Sequence, residues 1–429
     1  MIRVSYFFAL FLTFFASSAL AQEVLTWEKC IELAAFNNNA LKSAIANEKS
    51  TNYQTDASKS GFLPQATATL TSNRGNNGNV NNPSLTTVSS SINQAYNGSI
   101  SVTQNLFSGF SDVGKFDQAK ANNMVAKANI IIVKSQVSYD LKFAYENFSY
   151  AKETVNLLQN IIKRREDNLR IIELRFKSGM ENKGSLLLAR AYLEQAQYDL
   201  LQASNLIESA RAQLCRAIGI KECGNYDIRN SVPLTKPKAD KIDFKAIIGR
   251  VPQHMQALAQ EQAAKAGILI AESTFYPNLN VTAAKGQRGT SLFPQNDYWS
   301  LGMNLSIPFF TGGKDYYTTQ SAYQSKSVAK ENRESIDQQI LVNLKQSHNT
   351  YVESVVKLKV DEAFREASKL RADIARSKYN NGLLIFEDWD TIETDLITRQ
   401  KSYLQSKLNR VSAEALWEQA QGKGVFVND

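Results

Sequence analysis

Histidine and cysteine are nearly missing from this sequence: two histidines, His254 and His348, and three cysteines, Cys30, Cys215 and Cys223, serve 429 residues. Neither histidine stands in a ligand-spaced cluster, so a zinc-type centre is not expected. No nucleophile is matched with a histidine, no paired acids mark a cleft, and no glycine loop is built to cradle phosphate. Neither an enzyme nor a cofactor is therefore expected. Blocks of Lys and Arg with interleaved aromatics are also lacking, and a net charge of +8 is mild for this length. A nucleic-acid partner is excluded on that ground. Beyond the N-terminus there is no apolar run of about twenty residues, which excludes a transmembrane helix. If the chain crosses a membrane, it does so as a closed barrel.

The N-terminus itself carries an export signature. Arg3, the apolar stretch Tyr6 to Phe15 and the small-residue site Ala19-Leu20-Ala21 predict a signal peptide over residues 1–21, with Gln22 as the mature N-terminus. No cysteine follows that site, so no lipid anchor is expected there. In an oxidising compartment Cys215 and Cys223, close in sequence with Gly219 between them, are a candidate disulfide. Closing so short a loop is worth roughly 2.5 kcal/mol on the chain-entropy model. The alternative is three free buried thiols.

The most informative stretch is Tyr298 to Gly313. Trp299, Leu301, Met303, Leu305, Ile307 and Phe309 alternate with Tyr298, Ser300, Gly302, Asn304, Ser306 and Pro308. A period of two with one wholly apolar face and one small, polar face is a β-strand between lipid and water. Thr311, Gly312 and Gly313 break the pattern, and a very long helical segment follows. Tyr96 to Phe110 repeats the arrangement, and it too runs straight into a very long helix. Upstream, Gln65 to Thr71 alternates as the partner strand, with an Asn-, Gly- and Ser-rich loop expected from Asn73 to Asn93.

Helices fill the rest. Residues 26–60 form one helix with Thr26 as N-cap and a soft spot at Asn37 to Asn39. Nothing breaks residues 111–177, whose distal half steps by fours and threes as a coiled-coil seam interrupted only by Arg165. At 1.5 Å per residue that helix is about 100 Å long, and the return helix over 185–218 about 50 Å. The first helix and the return helix, stacked end to end, match the long one, which places Cys30 near Cys215 at the joint. Residues 221–245 lose all periodicity and are expected to be a linker or equatorial segment whose last residues fray into the next helix, and residues 423–429 a short tail. Then the scheme recurs: hairpin 277–309 after hairpin 64–107, long helix 313–379, return helix 386–420. An offset of 203 carries Phe107, Gly109, Phe176, Gly179, Leu193 and Leu214 onto Phe310, Gly312, Tyr379, Gly382, Leu396 and Trp417. The chain is an internal duplication, residues 22–220 and 246–422.

With Gly61-Phe62-Leu63-Pro64 and Phe275-Tyr276-Pro277 entering strands, Phe107-Ser108-Gly109 and Phe310-Thr311-Gly312-Gly313 leaving them, and Phe176-Lys177-Ser178-Gly179 and Tyr379-Asn380-Asn381-Gly382 turning the helices, the sequence resembles the TolC family of outer-membrane efflux proteins. The resemblance implies a membrane β-barrel plus a long α-helical coiled-coil barrel in a homotrimer, each protomer giving four strands to the barrel and its helices to a periplasmic tunnel. It implies a channel in the outer membrane of a Gram-negative bacterium that passively conducts substrates from an inner-membrane pump, of resistance-nodulation-division or ATP-binding cassette type, through a periplasmic adapter. Its hairpin tips, Gly179 and Gly382, would dock the adapter. Export of small molecules, type I protein secretion, and a periplasmic coiled-coil adapter or structural protein are the functions to be separated. Counting from Tyr379 and Gly382, Asp388 falls where the family carries an entrance carboxylate. Thr391 stands where a second would be, Leu384 replaces a basic position, and Ser185 replaces an acid after the first turn. Glu387 and Asp390 lie close by, and with Asp388, Thr391 and Tyr379 they are the candidates for the periplasmic entrance. These acids either ring the entrance or are solvated acids at a helix start, which the helix dipole favours anyway.

Overall fold

The computed structural model describes residues 24–78, 90–229, 231–237 and 242–427. The expected signal peptide, the tip of the first hairpin and the last two residues lie outside them. Two compact units are present, one comprising residues 44–130 and 248–340, the other the remainder. No described helix is long and apolar enough to cross a membrane.

The unit of residues 44–130 and 248–340 is built on a four-stranded antiparallel sheet in the order β2-β3-β5-β6, from β2 (Gln65–Gly78), β3 (Ser90–Ser108), β5 (Asn278–Gly289) and β6 (Asn296–Ser306). Register puts Ala68 opposite Ile100, Ile100 opposite Lys285 and Lys285 opposite Trp299, while Val102, Ala283 and Leu301 form the next row. One face therefore collects Ala66, Leu70, Ile100, Val102, Val281 and Leu305, and the other Thr67, Thr69, Ser101, Thr103, Thr282 and Asn304. Leu70, Leu301, Met303 and Leu305 are all exposed, Leu70 to 89%. An apolar sheet face left bare is the arrangement that lipid, not water, satisfies.

Two boundaries differ from expectation. The first hairpin's strands extend to Gly78 and from Ser90, well into the stretch expected as loop, because cross-strand pairing carries polar Asn and Ser along in register. In contrast, β6 ends at Ser306; Pro308 has no N–H to donate, and Ile307 and Phe309 continue the apolar side without pairing.

Leaving β3, Gly109 adopts φ 63°, and a Cβ there would lie 2.5 Å from the Ser273 carbonyl oxygen, so glycine is required. Gly114 in the next helical turn has the same reason: a Cβ would sit 2.8 Å from Ile270. That helix is α3 (Ser111–Lys177); its counterpart is α7 (Lys314–Asn380), each of 67 residues. Within this unit α2 (Asn39–Ser58) is tied to α3 by Asn123 donating to Thr51 Oγ1 at 3.1 Å, and α6 (Pro252–Glu272) to α7 by Arg333–Glu261 at 2.8 Å and His254–Asp337 at 2.6 Å.

In the other unit, α1 (Trp27–Asn37), α4 (Lys183–Ile218) and α8 (Phe386–Ala420) pack with the distal part of α3. Its largest core holds Trp27, Cys30, Leu141, Phe148, Leu214 and Val411. The expected single first helix is broken at Asn38. Its backbone there is extended; Oδ1 accepts from Ala40 and Leu41 N–H, and Nδ2 donates to the Ala217 carbonyl at 2.9 Å. One asparagine thus separates α1 from α2 and fastens the break to α4. Because α1 lies alongside the last turns of α4 and shares their core, the two overlap instead of stacking end to end. Cys215 bonds Cys223, with Cα atoms 5.7 Å apart, and Cys30 remains a buried thiol pushed up to about 12, by burial and then by Glu28.

Residues 221–229 and 231–237, part of the stretch expected as a linker or equatorial segment, are bound into this unit. The two-residue strand β4 (Asp227–Ile228) pairs in parallel with β1 (Val24–Leu25), and Tyr145 donates its hydroxyl to the Arg229 carbonyl at 2.7 Å. Thr235 donates its N–H and hydroxyl to Glu414, and the helix α5 (Phe244–Ile248) begins before the segment ends. Two-residue strands are too short for alternation to reveal.

Four helices end in the same way. At Gly179, Gly219, Gly382 and Gly422 φ lies between 71° and 79°. In each, the glycine N–H reaches the carbonyl three residues back and the next N–H the carbonyl five back: Gly179 to Phe176 and Met180 to Arg175, Gly382 to Tyr379 and Leu383 to Lys378. These are Schellman caps. The offset of 203 relates Gly179 to Gly382 and Gly219 to Gly422, so the duplication survives as backbone geometry.

Candidate functional site

The two turns between long helix and return helix, α3–α4 and α7–α8, share one small core: Ile172, Leu186 and Ala189 from the first repeat, Ala375, Tyr379, Phe386 and Trp389 from the second. Tyr379 is its centre. Its ring stacks on Trp389 with centroids 4.2 Å apart, the Arg175 guanidinium covers it at 4.7 Å, and its hydroxyl donates to Glu181 Oε2 at 2.8 Å. Arg175 also donates to the Tyr379 carbonyl at 3.0 Å, a second donor on an oxygen that already accepts from the capping Gly382 N–H. Burial and then the Glu181 carboxylate raise the Tyr379 phenol well above its usual range, so it remains a hydrogen-bond donor.

One helical step away a charged layer joins α3 to α8. Arg164 forks onto Glu393, Nε to Oε2 at 2.6 Å and Nη2 to Oε1 at 2.8 Å, and Glu393 is 1% exposed. Arg165 pairs with Asp390 at 3.1 Å, donates to Thr394 Oγ1 at 3.3 Å, and lies 4.5 Å over the Tyr192 ring. The Glu393 hydrogen bond, against burial, raises the Arg164 guanidinium further. Burial first, and the Asp390 hydrogen bond after it, raise the Tyr192 phenol. Such a fork fixes geometry as well as charge, and removing one partner of a buried pair leaves an uncompensated charge behind.

The acids singled out from sequence divide between two faces. Asp390 belongs to the Arg165 layer inside the protomer. Glu387, Asp388 and Thr391 are exposed on α8, with Thr391 Oγ1 donating back to the Glu387 carbonyl at 2.8 Å. Tyr379 is a buried packing residue, and Gly179 and Gly382 are helix caps with open space where a Cβ would stand. Sequence reading missed Arg164, Glu181, Trp389 and Glu393. One signal was present: a single Arg in an otherwise apolar seam requires an acid across from it. Among the described residues no group of acids, histidines and cysteines is arranged to hold a metal.

Long helices in a duplicated pair, joined to a four-stranded sheet with one bare apolar face, define a class of membrane-spanning helix-and-strand proteins. The family profile described as "Outer membrane efflux protein" matches residues 30–220 and 245–423, and the chain belongs to that family of outer-membrane transport proteins. The solvent efflux pump outer membrane protein SrpC of Pseudomonas putida is 24% identical over 262 residues, 54% of each chain. The fusaric acid resistance protein FusA of Burkholderia cepacia is 24% identical over 46% of this chain and 38% of its own. The chain spans about half the length of the curated relatives it matches. The fold is that of the Campylobacter jejuni CmeC outer membrane channel (TM-score 0.80, 18% identity, 94% of this chain and 87% of that one). The Neisseria gonorrhoeae MtrE outer membrane channel in its open state is similarly placed (TM-score 0.76, 20% identity, 93% and 89%).

Proposed function

We propose that this chain is the outer-membrane duct of an efflux system, conducting small molecules passively outward. The observation that carries the reading is the sheet: one apolar face, one polar face, and two unpaired edges, β2 and β6. Open edges are not tolerated in hydrocarbon, so other copies must close the barrel. Family membership supports three copies. A periplasmic adapter meeting the turns at Gly179 and Gly382, and an inner-membrane pump behind it, complete the export path. The relatives named for solvent efflux and fusaric acid resistance favour small cargo over secreted protein. A periplasmic adapter or structural rod would have no use for the bare apolar sheet face.

At the α7–α8 turn Glu387 and Asp388 are the exposed acids, Asp390 being held by Arg165, and in this reading Asp388, which stands at the family's acidic position, carries the charge. Repeated by symmetry, Asp388 becomes a ring of negative charge that favours cations at a constriction. In planar bilayers the purified protein should open discrete cation-preferring conductances, with the preference reduced by Asp388→Asn and retained in Thr391→Val. Absence of any conductance would overturn the duct. Unchanged selectivity in Asp388→Asn would remove the charge ring and leave the duct standing.

A further inference from the structure

On α3 the side chains turned toward α8 pass from charged to apolar in two helical steps. Arg165 belongs to the charged layer, Ile172 to the aromatic core of the turns, and Asn168 stands one turn from each. Asn168 is 4% exposed, and its Oδ1 meets no hydrogen-bond donor among the described residues. On α8, Trp389 is 1% exposed, and its indole N–H meets no acceptor there. A single unmatched polar atom in a core is unfavourable, and native structures rarely leave one. Here an unmatched acceptor and an unmatched donor belong to residues that line the same small cavity.

That cavity has a volume of about 10 Å³, roughly what one water needs and no more. Ala189 and Tyr192 of α4 line it from a third helix, and Asp390 lines it as well. The chemistry of an occupant follows from the two unmatched atoms, because an indole N–H only donates and an amide oxygen only accepts. A cation would have nothing to accept the indole proton, and an anion would have nothing to give the amide oxygen. An apolar group would leave both unmatched. What fits is neutral, no larger than one heavy atom, and able to donate and accept at once.

We infer that one water molecule is bound here as a fixed part of the fold, accepting from the Trp389 indole N–H and donating to Asn168 Oδ1. Its second proton goes to the Asp390 carboxylate, which holds Arg165 through Oδ1 and keeps lone pairs to spare. That makes about three hydrogen bonds, the usual complement of a buried water. The water ties α3 to α8 at the level where the charged layer gives way to the Tyr379–Trp389 stack. It is a neutral link between two layers that otherwise hold by ion pairs on one side and ring packing on the other.

Two measurements on the purified full chain in detergent test it. A crystal structure at a resolution that orders solvent should place a water within about 2.7–3.2 Å of both Trp389 Nε1 and Asn168 Oδ1. In solution the four tryptophans give four indole N–H signals; Trp27→Phe, Trp299→Phe and Trp417→Phe assign three and leave that of Trp389. With nitrogen-15 tryptophan, the Trp389 indole proton should show a direct nuclear Overhauser effect to water, with the sign of a long-lived neighbour. Asn168→Leu takes away the acceptor and fills the cavity. In that variant the cross-peak should be lost and the indole proton should move upfield, while the other indole signals keep their positions and report an intact fold. Should Asn168→Leu not fold, the wild-type crystal structure decides alone. A direct Asn168–Trp389 hydrogen bond, an ion in the cavity, a wild-type indole without the water cross-peak, or a cross-peak that survives in folded Asn168→Leu would each overturn the inference.

Discussion

At the α3–α4 turn the aromatic residue before the cap, Phe176, is 38% exposed, whereas at the α7–α8 turn its counterpart Tyr379 is fully buried. Leu186 follows the first turn where Trp389 follows the second. The start of α4 is capped by the Asn182 side chain, which accepts from Ser185 N–H at 2.9 Å, while Ile385 at the matching position of α8 offers no side-chain cap. In its place the second helix start has Glu387 and Asp388, whose charge suits the dipole. Both turns nevertheless close with the same pair of hydrogen bonds around a left-handed glycine. Duplication has preserved what shapes the backbone and released what decides packing and charge. The second turn became the anchor, with Arg175 and Glu181 of the first repeat reaching across to hold it.

The comparison breaks most visibly at the paired apolar positions. Trp389→Ala should cost about 3–5 kcal/mol, by loss of burial and the cavity left behind, and should disorder both turns, since Trp389 carries the Tyr379 stack. Leu186→Ala, at the equivalent position, should cost about 2–5 kcal/mol and leave the stack in place. Thermal unfolding with tryptophan fluorescence and hydrogen exchange at the turns separates the two. Exchange confined to the first turn in Trp389→Ala would show that the anchor has been misplaced.

Next in size are the glycines, where the repeats should behave alike. Neither Gly179 nor Gly382 has a neighbour within 4 Å of a new Cβ. An alanine at either pays only the left-handed backbone penalty, about 1–2 kcal/mol. At Gly219 a Cβ would lie 2.5 Å from the Asn37 carbonyl, so Gly219→Ala should cost distinctly more. Equal losses at all three in denaturant titrations would contradict the close approach of α4 to the α1–α2 break.

The smallest effect is pH-dependent and belongs to one turn only. The raised phenol of Tyr379 contributes stability that is complete below the unfolded value of about 10 and is lost as pH rises through the folded value. Phe176 has no such group. Hydrogen exchange at the α7–α8 turn should therefore quicken above about pH 10 while the α3–α4 turn lags. Tyr379→Phe should remove that step at a cost of about 1 kcal/mol near neutrality. A step that survives in Tyr379→Phe would assign it to another group.

Much of this architecture was legible because its signals are periodic or conformational. Alternation over Tyr298 to Phe309 marked the sheet's two faces, and the glycines at 179 and 382 marked the helix ends, since each signal needs only neighbouring residues. Asn38 was legible as a soft spot only, because what turns it into a break is a hydrogen bond to Ala217, far away in sequence. The β1–β4 pairing is two residues long and has no period. At the turns, sequence could list the acids and could not sort them: whether Asp390 is committed depends on Arg165, across a helix interface. Arg165 interrupting the seam was the one clue to that pairing.

The sheet's two faces support the whole account, and site-directed spin labelling tests them most directly. Single cysteines at Leu301, Gly302, Met303, Asn304 and Leu305 would be labelled in the full chain reconstituted into phospholipid vesicles; Cys30 is buried and Cys215 is bonded to Cys223, so neither competes for label. Collision with oxygen, which concentrates in lipid, should peak at 301, 303 and 305. Collision with a water-soluble nickel chelate should peak at 302 and 304. A profile without that period of two, or with the two reagents in phase, would mean that this sheet does not divide lipid from water.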